Sequence, residues 1–141
     1  MSLFRILDIA GSAMSAQSVR LNATASNLAN AESVSSSADT TYRARRPIFA
    51  AALNEAMQGG EGSSSPGVEV KGIVESQAPL VREYNPNHPM ADKDGFIYRS
   101  NVNQVEEMAD MMSASRSYQT NVQVADTAKQ MLLQTLRLGK G

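Results

Sequence analysis

The most constraining feature of this chain stands near its N-terminus. Leu3, Leu7, Ala10, Met14, Gln17, Leu21, Thr24 and Leu28 follow one another at spacings of 4-3-4-3-4-3-4. A strand would scatter such residues over both faces, whereas a helix of 3.6 residues per turn gathers them into one seam. The spacing predicts an amphipathic helix over 3–30. Ile6, Ala13, Arg20 and Asn27 form a flanking row, and Ser2 is placed to cap the start. Before Glu32 the only charges are Arg5, Asp8 and Arg20. Most other positions carry Ala, Ser, Thr, Asn or Gln, a small-sided surface that lets neighbouring backbones approach closely.

A second period predicts a longer helix over 102–138. Val105, Met108, Met112, Ser115, Gln119 and Val122 form one seam; Met111, Ala114, Tyr118, Asn121, Ala125, Ala128 and Leu132 form another. Ser100 or Asn101 is the expected cap, with Glu106, Glu107 and Asp110 early, where the helix dipole favours acids. Arg137 and Lys140 stand at the far end, and Gly139 stops the helix. At 1.5 Å per residue the two helices run roughly 40 and 55 Å. Both exceed the width of a globule of this size, and the polar residues between them are too few to sheathe both. The seams therefore call for further helices from other subunits.

Between the helices, residues 32–41 read as loop. Residues 42–57 are ambiguous between strand and helix, with Pro47 before Ile48-Phe49-Ala50-Ala51-Ala52 favouring a short helix that starts near the proline. Residues 58–67, rich in Gly and Ser, read as linker. Residues 68–99 read as β: Val68, Val70 and Val74 alternate, with Gly72 a candidate bulge or close approach. Leu80, Arg82 and Tyr84 alternate after Pro79, and Asp92-Lys93-Asp94-Gly95 turns into a strand at Phe96-Ile97-Tyr98-Arg99.

Composition excludes several classes of function. No Cys is present, which removes disulfides, thiolate metal sites and cysteine nucleophiles, and a single His, His88, removes multi-histidine metal sites. A net charge of −1 argues against a general nucleic-acid binder. No apolar run reaches the roughly 20 residues of a membrane span, and Asp8, Ser12, Ser15 and Arg20 interrupt any signal-peptide core. Asp92 and Asp94 lack the oxygen ligands of a calcium loop, Asn103 standing where the closing Glu would be, so they read as turn formers. His88 has no nucleophile or orienting acid beside it in sequence. Arg43-Ala44-Arg45-Arg46 reads as a solvated loop or as a match for acids on a neighbouring subunit. Met108, Met111 and Met112 read as an adaptable helix-packing surface. Asn22, Asn27 and Asn30 read either as a solvent-facing stripe or as buried amides that set register. No cofactor and no enzymatic activity are expected.

Three blocks carry a resemblance. Residues Ala10-Gly11-Ser12-Ala13-Met14-Ser15-Ala16-Gln17, Arg20-Leu21-Asn22 and Ala25-Ser26-Asn27-Leu28-Ala29-Asn30-Ala31 resemble the N-terminal signature of bacterial flagellar rod and hook proteins. The block Asn87-His88-Pro89-Met90-Ala91-Asp92-Lys93-Asp94-Gly95-Phe96, followed by Asn101-Val102-Asn103, is similar to the central motif of the proximal rod members. Ser113-Ala114-Ser115-Arg116-Ser117-Tyr118-Gln119-Thr120-Asn121 and Leu133-Gln134-Thr135-Leu136 resemble their C-terminal helix. Where a typical member has a shorter turn and a strand after its Tyr-Arg pair, this chain keeps Tyr42-Arg43 but reads as more helical beyond it.

The resemblance implies an α+β chain whose long terminal helices pair in coiled-coil fashion, with a small β-containing middle domain. Residues 1–31 and 101–141 would form the inner-tube domain, 32–66 a linker region, and 67–100 the β-rich segment. It implies a subunit exported by the flagellar type III apparatus without a cleaved leader and polymerised in the periplasm as the basal-body rod. The implied partners are further copies, rod subunits of the FlgB, FlgF and FlgG types, the junction protein between rod and MS ring, and the export apparatus. The expected packing residues are Leu3, Leu7, Met14, Leu21, Asn27, Leu28, Asn30, Met108, Met112, Tyr118, Val122, Leu132 and Leu136. The competing reading, another secreted helical junction or adaptor protein of the axial family, would lack the Asp94-Gly95-Phe96 block.

Overall fold

A computed structural model describes residues 3–52 and 67–139. The chain is α+β: α1 (Leu3–Ala29), β1 (Val34–Ser35), β2 (Arg45–Ala51), β3 (Val68–Glu75), β4 (Val81–Tyr84), β5 (Phe96–Arg99) and α2 (Gln104–Leu138). Both helices follow the predicted periods to within a residue or two at each end. Ser2, the expected cap of α1, and most of the 58–67 linker lie outside the described residues.

The start of α2 differs from expectation by two residues. Asn103 is the cap: its Oδ1 accepts from the amides of Val105 at 3.1 Å and Glu106 at 3.4 Å. Ser100 instead accepts from the Val102 amide, and the Asn101 side chain is engaged elsewhere. At the far end, the Gly139 amide donates back to the Thr135 carbonyl and closes the last turn.

The strands form two sheets, one in the order β1-β5-β4 and one pairing β2 with β3. In the first, β5 is antiparallel to both neighbours, with Val34 opposite Arg99 and Tyr84 opposite Phe96. β1 falls in the stretch read as loop; two residues are too few to show a period. The second sheet corrects the reading of 42–57 as far as Ala52; residues 53–57 lie outside the described residues. The stretch after Pro47 is extended, not helical, bonded antiparallel through Ala52 N–H to Gly67 O and Ser76 N–H to Ala44 O. Each strand of a two-stranded sheet is an edge, so proline's missing donor is tolerated. Gly72 lies within β3, and a Cβ there would meet nothing within 4 Å, so it marks no close approach.

Contacts divide the chain into two compact units. One comprises the described residues of Met1–Val19, Ile48–Gly72 and Ser113–Gly141; the other comprises Arg20–Pro47 and Ile73–Met112. Among the described residues, the buried apolar side chains are Ala10, Ala16, Ala23, Ala31, Ala44, Ala114, Ala128 and Ile97. A core made almost wholly of alanine permits close helix contact but removes little apolar area from water, since each buried methyl-sized group contributes only about 0.8 kcal/mol. Hydrogen bonds and partners must supply more of the stability than in a typical domain of this length.

Gly95 holds the turn before β5. Its φ is 82°, and a Cβ there would stand 2.9 Å from Tyr84 Cε2 and 3.1 Å from Pro86 Cβ. Asp92 Oδ1 accepts from the amides of Asp94 and Phe96, the Asx geometry expected of the turn reading. Around it the Tyr84 and Phe96 rings meet edge to face at 5.1 Å, and the Arg82 guanidinium lies 3.6 Å from the Phe96 ring centre.

Candidate assembly surface

The two seams of α2 meet different fates. Along one row, Glu107, Ala114 and Ala128 are buried and Met111, Asn121, Ala125 and Leu132 are half-buried, with Tyr118 at its margin. Ala114 is 0% exposed. Along the other, Val105, Met108 and Met112 are 77%, 52% and 60% exposed. These three stand at i, i+3 and i+7, so they share a face over two turns. Val122, in the same seam, is half-buried. Toward the C-terminus, Leu133, Leu136 and Leu138 are exposed. Large apolar side chains displayed in a row on one helix are the residues a partner would cover.

On α1 the seam residues Leu3, Leu7, Met14, Leu21 and Leu28 are half-buried, while full burial falls on Ala10, Ala16, Ala23, Thr24 and Asn27. In the unit containing its first turns, Leu3 and Ile6 line an apolar groove of about 330 Å³ with Thr120, Gln123, Val124, Thr127, Ala128 and Met131. In the same unit, Ser12 donates to the Ile9 carbonyl and accepts from the Val68 amide at 3.1 Å, which ties the start of β3 to the helix. A Cβ at Gly67 would stand 2.8 Å from that hydroxyl oxygen.

The other unit is organised by two asparagines. Asn27, 1% exposed, accepts through Oδ1 from the Arg45 amide at 2.8 Å and from the Tyr42 hydroxyl at 2.9 Å. Its Nδ2 donates to the Arg45 carbonyl at 2.9 Å. The side-chain amide thus pairs with both polar groups of one backbone residue, as a neighbouring strand would. With the Tyr42 proton given to Asn27, the Ser26 hydroxyl, 3.1 Å away, donates to Tyr42. Asn101 bridges two segments instead: Oδ1 accepts from the Ala44 amide at 2.8 Å, and Nδ2 donates to the Ala78 carbonyl at 2.9 Å. Of Asn22, Asn27 and Asn30, only Asn27 is buried. Asn22 is exposed, and Asn30 donates locally to the Ser26 carbonyl. The buried amide bonds extended backbone of its own chain.

Ion pairs complete this unit. Arg20 on α1 meets Asp110 on α2 at 2.6 Å, and Arg46 on β2 meets Glu106 at 2.7 Å. The hydrogen bond to Glu106, with further attraction from Glu107 and Asp110, raises the Arg46 pKa against the opposing effect of burial. Arg45 faces Glu75 at 3.6 Å and lies over the Tyr42 ring, while Arg43 donates to the Ser76 and Ala78 carbonyls. The arginine run read as solvated or meant for a neighbour is therefore engaged within the chain. His88 accepts through Nδ1 from the Met90 amide, a turn contact with no nucleophile in it. No helix among the described residues is long and apolar enough to cross a membrane.

Residues 7–34 match the family model described as flagella basal body rod protein, and 93–138 match the model of the flagellar basal body rod FlgEFG protein C-terminal region. The flagellar basal-body rod protein FlgC of Salmonella typhimurium is 47% identical over 140 residues, covering 99% of this chain and 100% of that protein. The protein of the same name in an Escherichia coli strain is 49% identical over the same length, and that of Borreliella burgdorferi is 34% identical over 152 residues covering the whole of both chains. The chain belongs to the FlgC family of flagellar basal-body rod proteins. It is a structural subunit of the rod, located in the basal body, and as such associates with other rod components.

The two matched stretches cover most of α1 and all of β5 and α2, and so include the buried helix alanines, Asn27, Asn101 and the open row of α2. What the sequence reading missed was the service of Asn101 and Ser12 to distant backbone, and of Tyr42 to the Asn27 side chain. Asn101 beside a helix start reads as a cap, and nothing local says that its partner lies 57 residues earlier.

Proposed function

We propose that this rod subunit has no catalytic activity and joins its neighbours through the open row of α2 and the exposed leucines that follow it. The supporting observation is the asymmetry of α2: one row closes to 0% exposure at Ala114 while Val105 on the other remains 77% exposed. A helix that satisfies its own chain with small residues and displays large ones outward suits side-by-side packing of many copies. On this reading, residues 1–31 and 101–141 supply the paired, coiled-coil-like inner wall of a helical tube. The 67–100 segment stands outside as the β-containing part, joined by β1 and β2 from the 32–66 region that connects it to the first helix. The other occupants of the tube are subunits of the FlgB, FlgF and FlgG types and the junction protein at the MS ring. Delivery through the flagellar type III export apparatus is part of this proposal. A junction or adaptor role outside the rod is disfavoured by the Asp94-Gly95-Phe96 turn and its ordered β5.

Val105→Lys with Leu136→Lys tests the packing reading. Both residues are largely exposed, so the chain's own fold should tolerate the change, and an unfolded chain in export should be indifferent to it. In an assembled wall, two unpaired ammonium groups would be buried at a cost of several kcal/mol each. The expected result is a chain that leaves the cytoplasm at the normal level in cells that do not swim. Normal swimming would overturn the reading.

A further inference from the structure

We propose that Met108 and Met112 form an oxidation site, whose conversion to methionine sulfoxide by a peroxide keeps an unassembled subunit out of the rod. The consequence for assembly rests on the packing reading above; the chemistry does not. The two thioethers stand one helical turn apart on α2, beside Val105, and are 52% and 60% exposed. Met14 and Met111 are half-buried, while Met131, further along α2 and outside this row, is 52% exposed and serves as a comparison. Before assembly, therefore, the methionine side chains of the open row stand in solvent, where a small oxidant reaches them without any opening of the fold.

The step balances without a cofactor. A sulfur lone pair attacks one oxygen of hydrogen peroxide, an S–O bond forms and the O–O bond breaks. The other oxygen leaves as water after a proton passes to it from the attacked oxygen. Sulfur is oxidised by two electrons and the peroxide is reduced. The product replaces a flexible apolar thioether with a strongly polar, chiral sulfoxide. In water that oxygen is hydrated; in an apolar helix seam it would be buried without a donor. Two such groups on adjacent turns remove most of the apolar face that Val105, Met108 and Met112 present. Once a neighbour covers the row, the same sulfurs are shielded, so the site is open only during the interval before incorporation. Sulfoxide is reducible enzymatically, which makes the block reversible.

Two readouts test this. First, the purified unassembled chain and isolated basal bodies are treated with hydrogen peroxide, and added oxygen is mapped by peptide mass spectrometry. Oxidation at Met108 and Met112 should be at least tenfold lower in basal bodies, while Met90, in an exposed turn, reports reagent access in the free chain. Equal oxidation in both samples would overturn the proposal. Second, cells carrying the native chain or the Met108→Leu, Met112→Leu variant build new flagella under sublethal peroxide. Each strain is scored as the ratio of treated to untreated motile cells, so any effect of the substitution itself cancels. The native ratio should fall at least fivefold below that of the variant; equal ratios would overturn the proposal. An oxidation-resistant polar variant, Met108→Gln with Met112→Gln, separates the two claims. If it fails to swim while the peroxide ratios are equal, the packing reading stands and the oxidation site falls. If it swims normally, both fall at this row.

Discussion

Replacing Asn27 with alanine removes three hydrogen bonds at once: two from Arg45 and Tyr42 donors to Oδ1, and one from Nδ2 to the Arg45 carbonyl. Each such bond contributes about 1 kcal/mol net, and backbone groups left unpaired beside a buried side chain add to the loss. Asn27→Ala should therefore destabilise the chain by about 3 kcal/mol. With a urea dependence of about 2 kcal/mol per molar, the unfolding midpoint should fall by roughly 1.5 M. Circular dichroism across a urea titration measures it. Amide hydrogen exchange adds a local readout, since Arg45 should lose protection while residues around Gly95 keep theirs. Asn27→Asp sharpens the test, because it keeps both acceptor contacts but sets a carboxylate oxygen against the Arg45 carbonyl. It should be at least as damaging as alanine if pairing with both backbone groups is what matters. Asn22→Ala, at an exposed position of the same helix, controls for helix propensity and should shift stability by less than about 0.5 kcal/mol. If Asn27→Ala were as mild as Asn22→Ala, the claim that this amide holds the extended segment would be wrong.

Gly95→Ala places a methyl 2.9 Å from Tyr84 Cε2 on a backbone with φ of 82°; a loss of about 1–3 kcal/mol is expected from the strain, read as a lower thermal midpoint. Arg20→Ala and Asp110→Ala, singly and together, form a double-mutant cycle across a 2.6 Å pair whose side chains are 27% and 32% exposed. Partial burial should give a coupling near 1 kcal/mol that shrinks in high salt, and a coupling of zero at low salt would show that the pair does not tie α1 to α2.

Much of this architecture is legible along the chain because it depends on local period. The spacing from Leu3 to Leu28 and the double row from Val105 to Leu132 determine both helices, since a helix needs only its own backbone bonds and a repeat that gathers one face. The alternation of Val68 and Val70 and the Asp92–Gly95 turn likewise announce β3 and β5. Local pattern failed at Pro47-Ile48-Phe49-Ala50-Ala51-Ala52, where alanines after a proline favour a helix and the chain is extended. The deciding partners are distant: Asn27 holds Arg45 from 18 residues away, and Asn101 holds Ala44 from 57. Neither is visible in a local window.

The same limit governs the surface. Sequence alone determined that α2 carries two apolar rows, but both look equally fit for burial. Only the tertiary structure decided that the row through Ala114 and Ala128 is covered while Val105, Met108 and Met112 stay open. The physical reason is size: small side chains let another element approach α2 closely, and the bulkier row on the opposite side is left for whatever packs against it next.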